Sequence, residues 1–405
     1  MLLLQEIFVP PVSCVGNGQP RWGGEFFRQL FLMLEINSQT LSCKNLLNRR
    51  VVKIIRVDVG NFYTKVCVMR QDPEKGGGDR TDPPFQFYGR GFFPTLVSRS
   101  GDIDKGRMYY EHEGELYAVG YDCSSSLRFE QIIKAFDGEG LGTGKALLIL
   151  KKIIFDYADN TDDLEINVVV DSHQRAQVFE EIGEALRDKK LEISAFRGYD
   201  KRRIRKEVTV RLNLLSSGDA VWGFLEKNRM DFTTALVVDI GYNKTKLYVV
   251  DCEKGVELFQ TGDCGVSFYY EKIVHLFAEK NIDDNHFLWL VKQIELGCEE
   301  VEVRKESKGE GMGPVYDISL VMENVRWDLN KEFTRFTTDT LTSYYTNRVE
   351  WPAMLMVTGG GASLNGDLLR LSLEEGGYCF NDVYIEKQPI YTLLEGAGYV
   401  LLRSP

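Results

Sequence analysis

The chain has 405 residues, 43% of them apolar, and a formal net charge of −11. That length supplies two or three domains' worth of chain with ample material for packed cores. An acidic chain is a poor general binder of nucleic acid, because phosphate contacts need clustered Lys and Arg. One basic run exists at Lys201–Lys206 (KRRIRK). It reads as a solvated loop between a helix and a strand, or else as a contact for an anionic partner. No apolar run approaches the ~20 residues of a membrane span. The opening MLLLQEIFVPPVSC lacks the positive flank of a secretory signal. The 8 cysteines form no CxxC pair and the 4 histidines never cluster, so a structural zinc site is not expected. Cys67 and Cys252 fall in strand-like runs and read as small buried residues of a reducing, cytoplasmic protein.

Residues 1–50 stand apart. A Pro/Gly-containing stretch precedes a short apolar segment, Phe26–Ile36, and the region is expected to be an N-terminal extension outside the core fold. From Val51 the pattern sharpens. VVKIIRVDVG is Val/Ile-rich and ends at Asp-x-Gly, and the turn NFYTK leads to a second strand, VCVMR. A loop at Gly76–Gly78 and the run FQFYGRGFFPTLVS follow. Helices are predicted over Leu141–Ala158 and Gln174–Leu186, strands over residues 166–171 and Glu207–Leu215, and a short helix over Ala220–Lys227.

The opening theme then returns. TTALVVDIG ends at Asp-x-Gly, and a turn leads to KLYVVD. Helices are expected over Val266–Glu279, Phe287–Cys298 and Ile318–Tyr345, with a Gly-rich loop at Gly309–Gly313. MLMVTGGGASLNG is a buried strand entering a glycine turn and a helix, and the chain ends in a strand and a short helix. Two strand–turn–strand units with an Asp at the turn, Asp58 and Asp239, thus imply an internally duplicated α/β domain.

An Asp-x-Gly hairpin suits a particular chemistry. Gly lets backbone amides approach a ligand closely, and a tight turn aims several N–H groups at phosphate oxygens. The Asp is placed to hold a hydrated Mg²⁺. Two facing hairpins would grip a polyphosphate from both sides, with Lys65 as a point charge and Thr245 offering a hydroxyl. A third element, Thr358–Gly366, carries Gly359, Gly360 and Gly361, whose bare backbone suits a flat nucleoside. Any one of these alone is an ordinary turn; their conjunction carries the reading.

In this order the three elements resemble the actin-like ATPase superfamily, which includes actin, the large heat-shock chaperones and sugar kinases. The first phosphate motif matches residues 57–65, including Gly60, Asn61, Phe62, Tyr63, Thr64 and Lys65. The second matches 237–246, including Gly241, Tyr242, Asn243, Lys244 and Thr245, and the adenosine motif matches 357–366. The chain looks most like the ParM/StbA group of actin-like proteins, through Phe93-Pro94-Thr95, Tyr117–Gly120 and the long helical stretch before TGGG. The resemblance implies duplicated actin-like (ribonuclease H-like) domains with a nucleotide cleft between them. Domain I would span residues 51–230, completed by the C-terminal helix 390–405, and domain II residues 231–389. It further implies ATP (or GTP) with Mg²⁺ at Asp58 and Asp239, and self-assembly into filaments. Plasmid DNA would be segregated through a DNA-binding adaptor of ParR type, with no direct DNA or membrane binding. Asp219, in SSGDAVWGFLEK, stands nearest the group that orients the attacking water; its alternative role is an N-cap ahead of Ala220. Glu295 is a candidate nucleoside contact.

Three departures from the family pattern, Asp171-Ser172-His173, Asn243 and LLEGAGY, are expected to be peripheral to phosphate and metal. GEGLGTGK (138–145) imitates a P-loop, but Glu139 replaces its first Gly and Ala146 its Ser/Thr. A small-molecule kinase and a non-catalytic nucleotide-binding scaffold remain as alternative functions on the same fold.

Overall fold

The computed structural model describes residues 52–71, 85–100, 106–123, 141–160, 163–187, 189–279, 300–302, 315–317, 319–346, 351–386 and 391–403. The chain divides into two units, Met1–Arg49 and Arg50–Pro405, and the described residues all belong to the second. The expected extension, both Gly-rich loops and the helix at Phe287–Cys298 lie outside them.

Strand β1 (Val52–Val59) pairs antiparallel with β2 (Tyr63–Gln71), and β2 with β3 (Phe85–Pro94). Short strands β4 (Val97–Arg99), β5 (Met108–His112) and β6 (Glu115–Val119) precede helix α1 (Thr143–Tyr157). Then come β7 (Asp163–Val170), α2 (His173–Leu186), β8 (Lys190–Arg197) and β9 (Arg202–Ser216). These strands form one nine-stranded sheet, β3-β2-β1-β7-β9-β8-β5-β6-β4.

Helix α3 (Ser217–Lys227) leads to a second sheet. Its first strands are β10 (Thr234–Ile240), β11 (Thr245–Asp251) and β12 (Gly255–Gly262), followed by α4 (Ser267–Glu279). A small hairpin, β13 (Glu300–Glu302) with β14 (Val315–Asp317), precedes the long α5 (Ser319–Tyr345). Strand β15 (Met354–Thr358), α6 (Ala362–Glu375), β16 (Asp382–Ile385) and α7 (Thr392–Arg403) complete the chain. The second sheet runs β12-β11-β10-β15-β16.

The duplication is visible in topology. In each sheet an antiparallel three-strand meander ends on a central Val-rich strand, whose other edge takes a parallel neighbour: β7 beside β1, β15 beside β10. Parallel pairing buries both faces, which is why residues 53–59 and 235–240 are buried without a break.

Three cores follow. One packs α1 and α2 on the first sheet through Ile149, Ile153, Phe179 and Val168. A second packs α4, α5 and α6 on the second sheet through Tyr269, Phe333 and Leu369. The third joins the sheets: Ala220, Val221 and Phe224 of α3 and Leu393, Leu394 and Ala397 of α7 meet Val169, Val237 and Met356. Here the two helices cross backbone to backbone. A Cβ on Gly396 would lie 1.7 Å from the Ala220 carbonyl oxygen, and one on Gly223 would lie 2.6 Å from the Gly396 carbonyl oxygen. The LLEGAGY segment therefore needs its first glycine for contact.

Two sequence expectations change. The basic run is no loop: residues 202–206 open β9, paired with β8, a strand the sequence reading did not contain. Alternation disposes of the charge, with Arg203 donating to Ser194 Oγ and Lys206 donating to the carbonyl oxygens of Phe155 and Ala158 at the end of α1. Cys67 is buried as expected, but Cys252 is exposed. Among the described residues no helix is long and apolar enough to cross a membrane.

Candidate nucleotide cleft

The hairpin turns of the two sheets are near copies. Residues 57–65 (VDVGNFYTK) and 238–246 (VDIGYNKTK) share Val, Asp, Gly, Thr and Lys at matching places. The registers match too: Asp58 lies opposite Lys65, and Asp239 opposite Lys246. Each turn closes with its Gly N–H on the carbonyl three residues on, Gly60 to Tyr63 and Gly241 to Lys244, both at 3.0 Å. A Cβ on either glycine would sit 2.7 Å from that same oxygen, so both positions require the missing side chain.

Each turn is anchored by a buried threonine. Thr64 Oγ1 shares a hydrogen bond with Thr95 Oγ1 (3.0 Å), and Thr95 donates on to the Gly60 carbonyl. Thr245 Oγ1 donates to the Cys264 carbonyl (2.7 Å). The hydroxyl that the sequence offered to a ligand thus holds its own turn in place. Arg175, in the first turn of α2, braces the first hairpin by donating to the Val59 carbonyl (2.6 Å) and to Asn61 Oδ1.

The turns meet face to face. Phe62 of the first stacks on Tyr242 of the second, ring centroids 4.3 Å apart and 20° from parallel, with Tyr270 stacked beyond them. Tyr63 packs edge-on against Phe62. Phe62 and Tyr242 are 4% and 8% exposed, so the turns are welded by apolar contact at this edge. Lys244 Nζ lies 3.7 Å from Asp263 Oδ1 at the surface.

Beside the aromatic weld lies a charged cluster. Lys65 Nζ binds Asp58 Oδ2 at 2.6 Å. Lys246 Nζ lies 2.8 Å from Asp171 Oδ2 and 3.8 Å from Asp239 Oδ2. Arg175 Nη1 completes the set, 3.6 Å from Asp171 Oδ1. The Asp58 and Asp239 side chains are each 9% exposed. Burial disfavours the Lys246 ammonium, but Tyr248 and the carboxylates of Asp239, Asp171 and Asp58 more than offset it and hold its pKa above the ordinary lysine value. Burial would raise the Asp171 carboxyl; Lys246 and Arg175 prevail and hold it at about 2. Asp58 thus pairs with Lys65 and Asp239 lies beside Lys246, whose ammonium also feels the Asp58 charge.

The expectation of a hydrated Mg²⁺ between Asp58 and Asp239 meets a different arrangement. Both carboxylates already face ammonium groups, and Lys246 lies between Asp239 and Asp171. Among the described residues no group of three or more His, Cys, Asp or Glu is placed to hold a metal ion. The ion does not fit this donor set as it stands. A second expectation also falls: Asp171, read as peripheral, is central. Lys246 carries no role in the sequence reading, although Lys seven places after the Asp in both turns is the available signal.

The glycine element divides its labour. Gly359 has φ +85°, and a Cβ there would lie 2.2 Å from Asp239 Oδ1. Gly361 presses on Ile240 and Val266. Only Gly360 is exposed with open space before it. Asp219 sits inside the first turn of α3, where Ser216 is the cap: the Asp219 N–H donates to Ser216 Oγ (3.0 Å), which donates to Asp219 Oδ2 (2.7 Å). The helix starts three residues before Ala220, and the Asp219 carboxylate is exposed. Glu295 lies outside the described residues.

No known family and no curated protein matches the chain by sequence. Solved structures do match. An archaeal actin homologue, Ta0583, superposes with a TM-score of 0.59 at 16% identity, over 87% of this chain and 99% of the other. The same protein in complex with ADP gives 0.58 at 16% identity, over 87% and 99%. A subunit from a 15-stranded ParM filament of Clostridium botulinum gives 0.59 at 14% identity, over 85% and 97%. At such identities the likeness speaks for the fold alone, and the fold of this chain is the actin-like one of the ParM type.

Proposed function

We propose that the protein is a nucleotide-dependent, filament-forming actin-like ATPase. The observation that carries this is the pair of VDxG…TK turns, facing each other with Asp58 and Asp239 directed into one buried cluster. The turns at residues 60–64 and 241–245 cradle the phosphates with the amides not used by Gly60 and Gly241 to close them, and Lys65 exchanges its partner Asp58 for a phosphate oxygen. The open face at Gly360 receives the nucleoside, ATP or in its place GTP, with Glu295 as a further contact. Asp219 orients the attacking water, since phosphoryl transfer asks chiefly for positioning and charge neutralisation. Magnesium, had it come with the nucleotide, would be held by the phosphates themselves, because Asp58 and Asp239 already face ammonium groups.

Filament formation is supported by the likeness to the ParM filament subunit. A heterologous contact that does not close generates such polymers. The finer reading is plasmid DNA segregation in the cytoplasm, through a DNA-binding adaptor of ParR type, which agrees with an acidic chain that does not itself hold DNA. The domain division at residue 230, with helix 390–405 returning to domain I, belongs to the same proposal.

One observation favours a second reading, a nucleotide-binding scaffold without hydrolysis: the charged cluster between the turns already contains the ammonium of Lys246. Pelleting and phosphate release separate the two. The ATPase reading expects sedimentable polymer with ATP or GTP, none without nucleotide, and phosphate released as polymer ages. Polymer without phosphate release would select the scaffold, and monomer at high concentration with either nucleotide would overturn both.

A further inference from the structure

Lys246 is an unusual residue for its place. Strand β11 is buried from Leu247 to Val250 and at Thr245, and lysine is among the residues least often buried without a partner. Its side chain is 15% exposed, and the ammonium stands among the ends of three strands: Asp239 on β10, Asp171 just after β7, and the charge of Asp58 on β1. Asp58 and Asp239 are the two carboxylates to which the sequence assigned a divalent ion.

The charge count is decisive. Asp58, Asp171 and Asp239 contribute three negative charges, and Lys65, Lys246 and Arg175 three positive ones. The cluster is neutral before any ligand arrives. A divalent ion added here would be an uncompensated buried charge, and such charges are strongly disfavoured. An ammonium also has three N–H donors on a flexible stem. Two can serve Asp171 and Asp239, and the third can serve an oxyanion entering between the turns.

We propose that the Lys246 ammonium is the resident cation of this cluster, standing in place of a protein-bound divalent ion and offering its remaining N–H to a nucleotide phosphate. The second half rests on the nucleotide reading above; the first does not. Lys246 thus acts as a binding and positioning residue that makes phosphate capture independent of a metal held by Asp58 and Asp239.

The test uses the full chain. Mn²⁺ uptake, followed by electron paramagnetic resonance without nucleotide, is compared between wild type and Lys246→Met. The expected result is no saturable site in wild type and one new site in Lys246→Met, which adding Asp239→Asn removes. Saturable uptake by wild type that Asp239→Asn abolishes would overturn the proposal. So would a folded Lys246→Met that gains no site. Should Lys246→Met not fold, Lys246→Gln takes its place, and the wild-type titration decides in either case. In a second arm, affinity for a fluorescent ATP analogue is measured in Mg²⁺ and in EDTA. The two are expected to agree within about threefold, and a loss above about tenfold in EDTA would contradict the metal-free phosphate contact. No binding in either buffer would sink the nucleotide reading and the phosphate contact, while the Mn²⁺ arm still decides whether Lys246 is the resident cation.

Discussion

Lys246 and Asp171 are 2.8 Å apart, and they belong to different sheets. Lys246 rises from β11 of the second sheet, and Asp171 directly follows β7 of the first. Their ion pair is therefore a bolt between the two halves of the fold, placed next to the Phe62–Tyr242 stack that welds the turns. Asp171→Asn removes the charge but keeps the shape. Because Lys246 retains Asp239 nearby, the expected loss is below the full cost of orphaning a buried charge, about 1–3 kcal/mol. Urea unfolding measures it, and an unchanged midpoint would show that the pair does not tie the sheets.

The same pair sets an acid limit. The folded Asp171 carboxyl is held at about 2 against an ordinary 3.8. A depressed carboxyl pKa contributes stability above the unfolded value and loses it as pH falls through the folded one. The contribution, about 2 kcal/mol, should be complete above about pH 4 and fade towards pH 2. Wild type and Asp171→Asn should thus differ in thermal midpoint at neutral pH and converge below pH 3. A constant gap across that range would assign the difference to packing.

These residues show how far the sequence could be read. The Val-rich strands, both Asp-x-Gly turns and the strand before TGGG were legible because β-branched runs and glycine have local causes. The cluster itself was not. Asp171 was visible only as a departure from a pattern and Lys246 only as the last letter of a motif, and their meeting depends on how two sheets are set together. Strand β8, KLEISAFR, was hidden by its charged outward positions, and the charge density of 202–206 resembled a loop until Lys206 found the end of α1.

The crossing of α3 and α7 makes a sharp steric prediction. A Cβ on Gly396 would lie 1.7 Å from the Ala220 carbonyl oxygen, a backbone atom that cannot swing aside. Gly396→Ala must push the helices apart, and overpacking of this kind costs about 1–3 kcal/mol or more. Gly360→Ala is the control, since nothing lies within 4 Å of its added carbon. Differential scanning calorimetry should show a lowered midpoint for Gly396→Ala and an unchanged one for Gly360→Ala. Equal midpoints for both would refute the close crossing.

Asp219 offers a test in which structure and chemistry separate. Its backbone N–H donates to Ser216 Oγ whatever its side chain, so Asp219→Ala keeps the cap of α3 and loses only the return bond from the Ser216 hydroxyl to its carboxylate. The stability cost should stay below about 1 kcal/mol. If the exposed carboxylate orients the attacking water, phosphate release slows by about a hundredfold, the scale of a general base, while nucleotide-dependent polymer persists or lasts longer. Ser216→Ala is the counterpart: it removes the cap acceptor and leaves the carboxylate, so it should lower the unfolding midpoint more and hydrolysis less. Phosphate release at the wild-type rate in Asp219→Ala would reduce this residue to its part in the cap, and the water would have to be held elsewhere in the cleft.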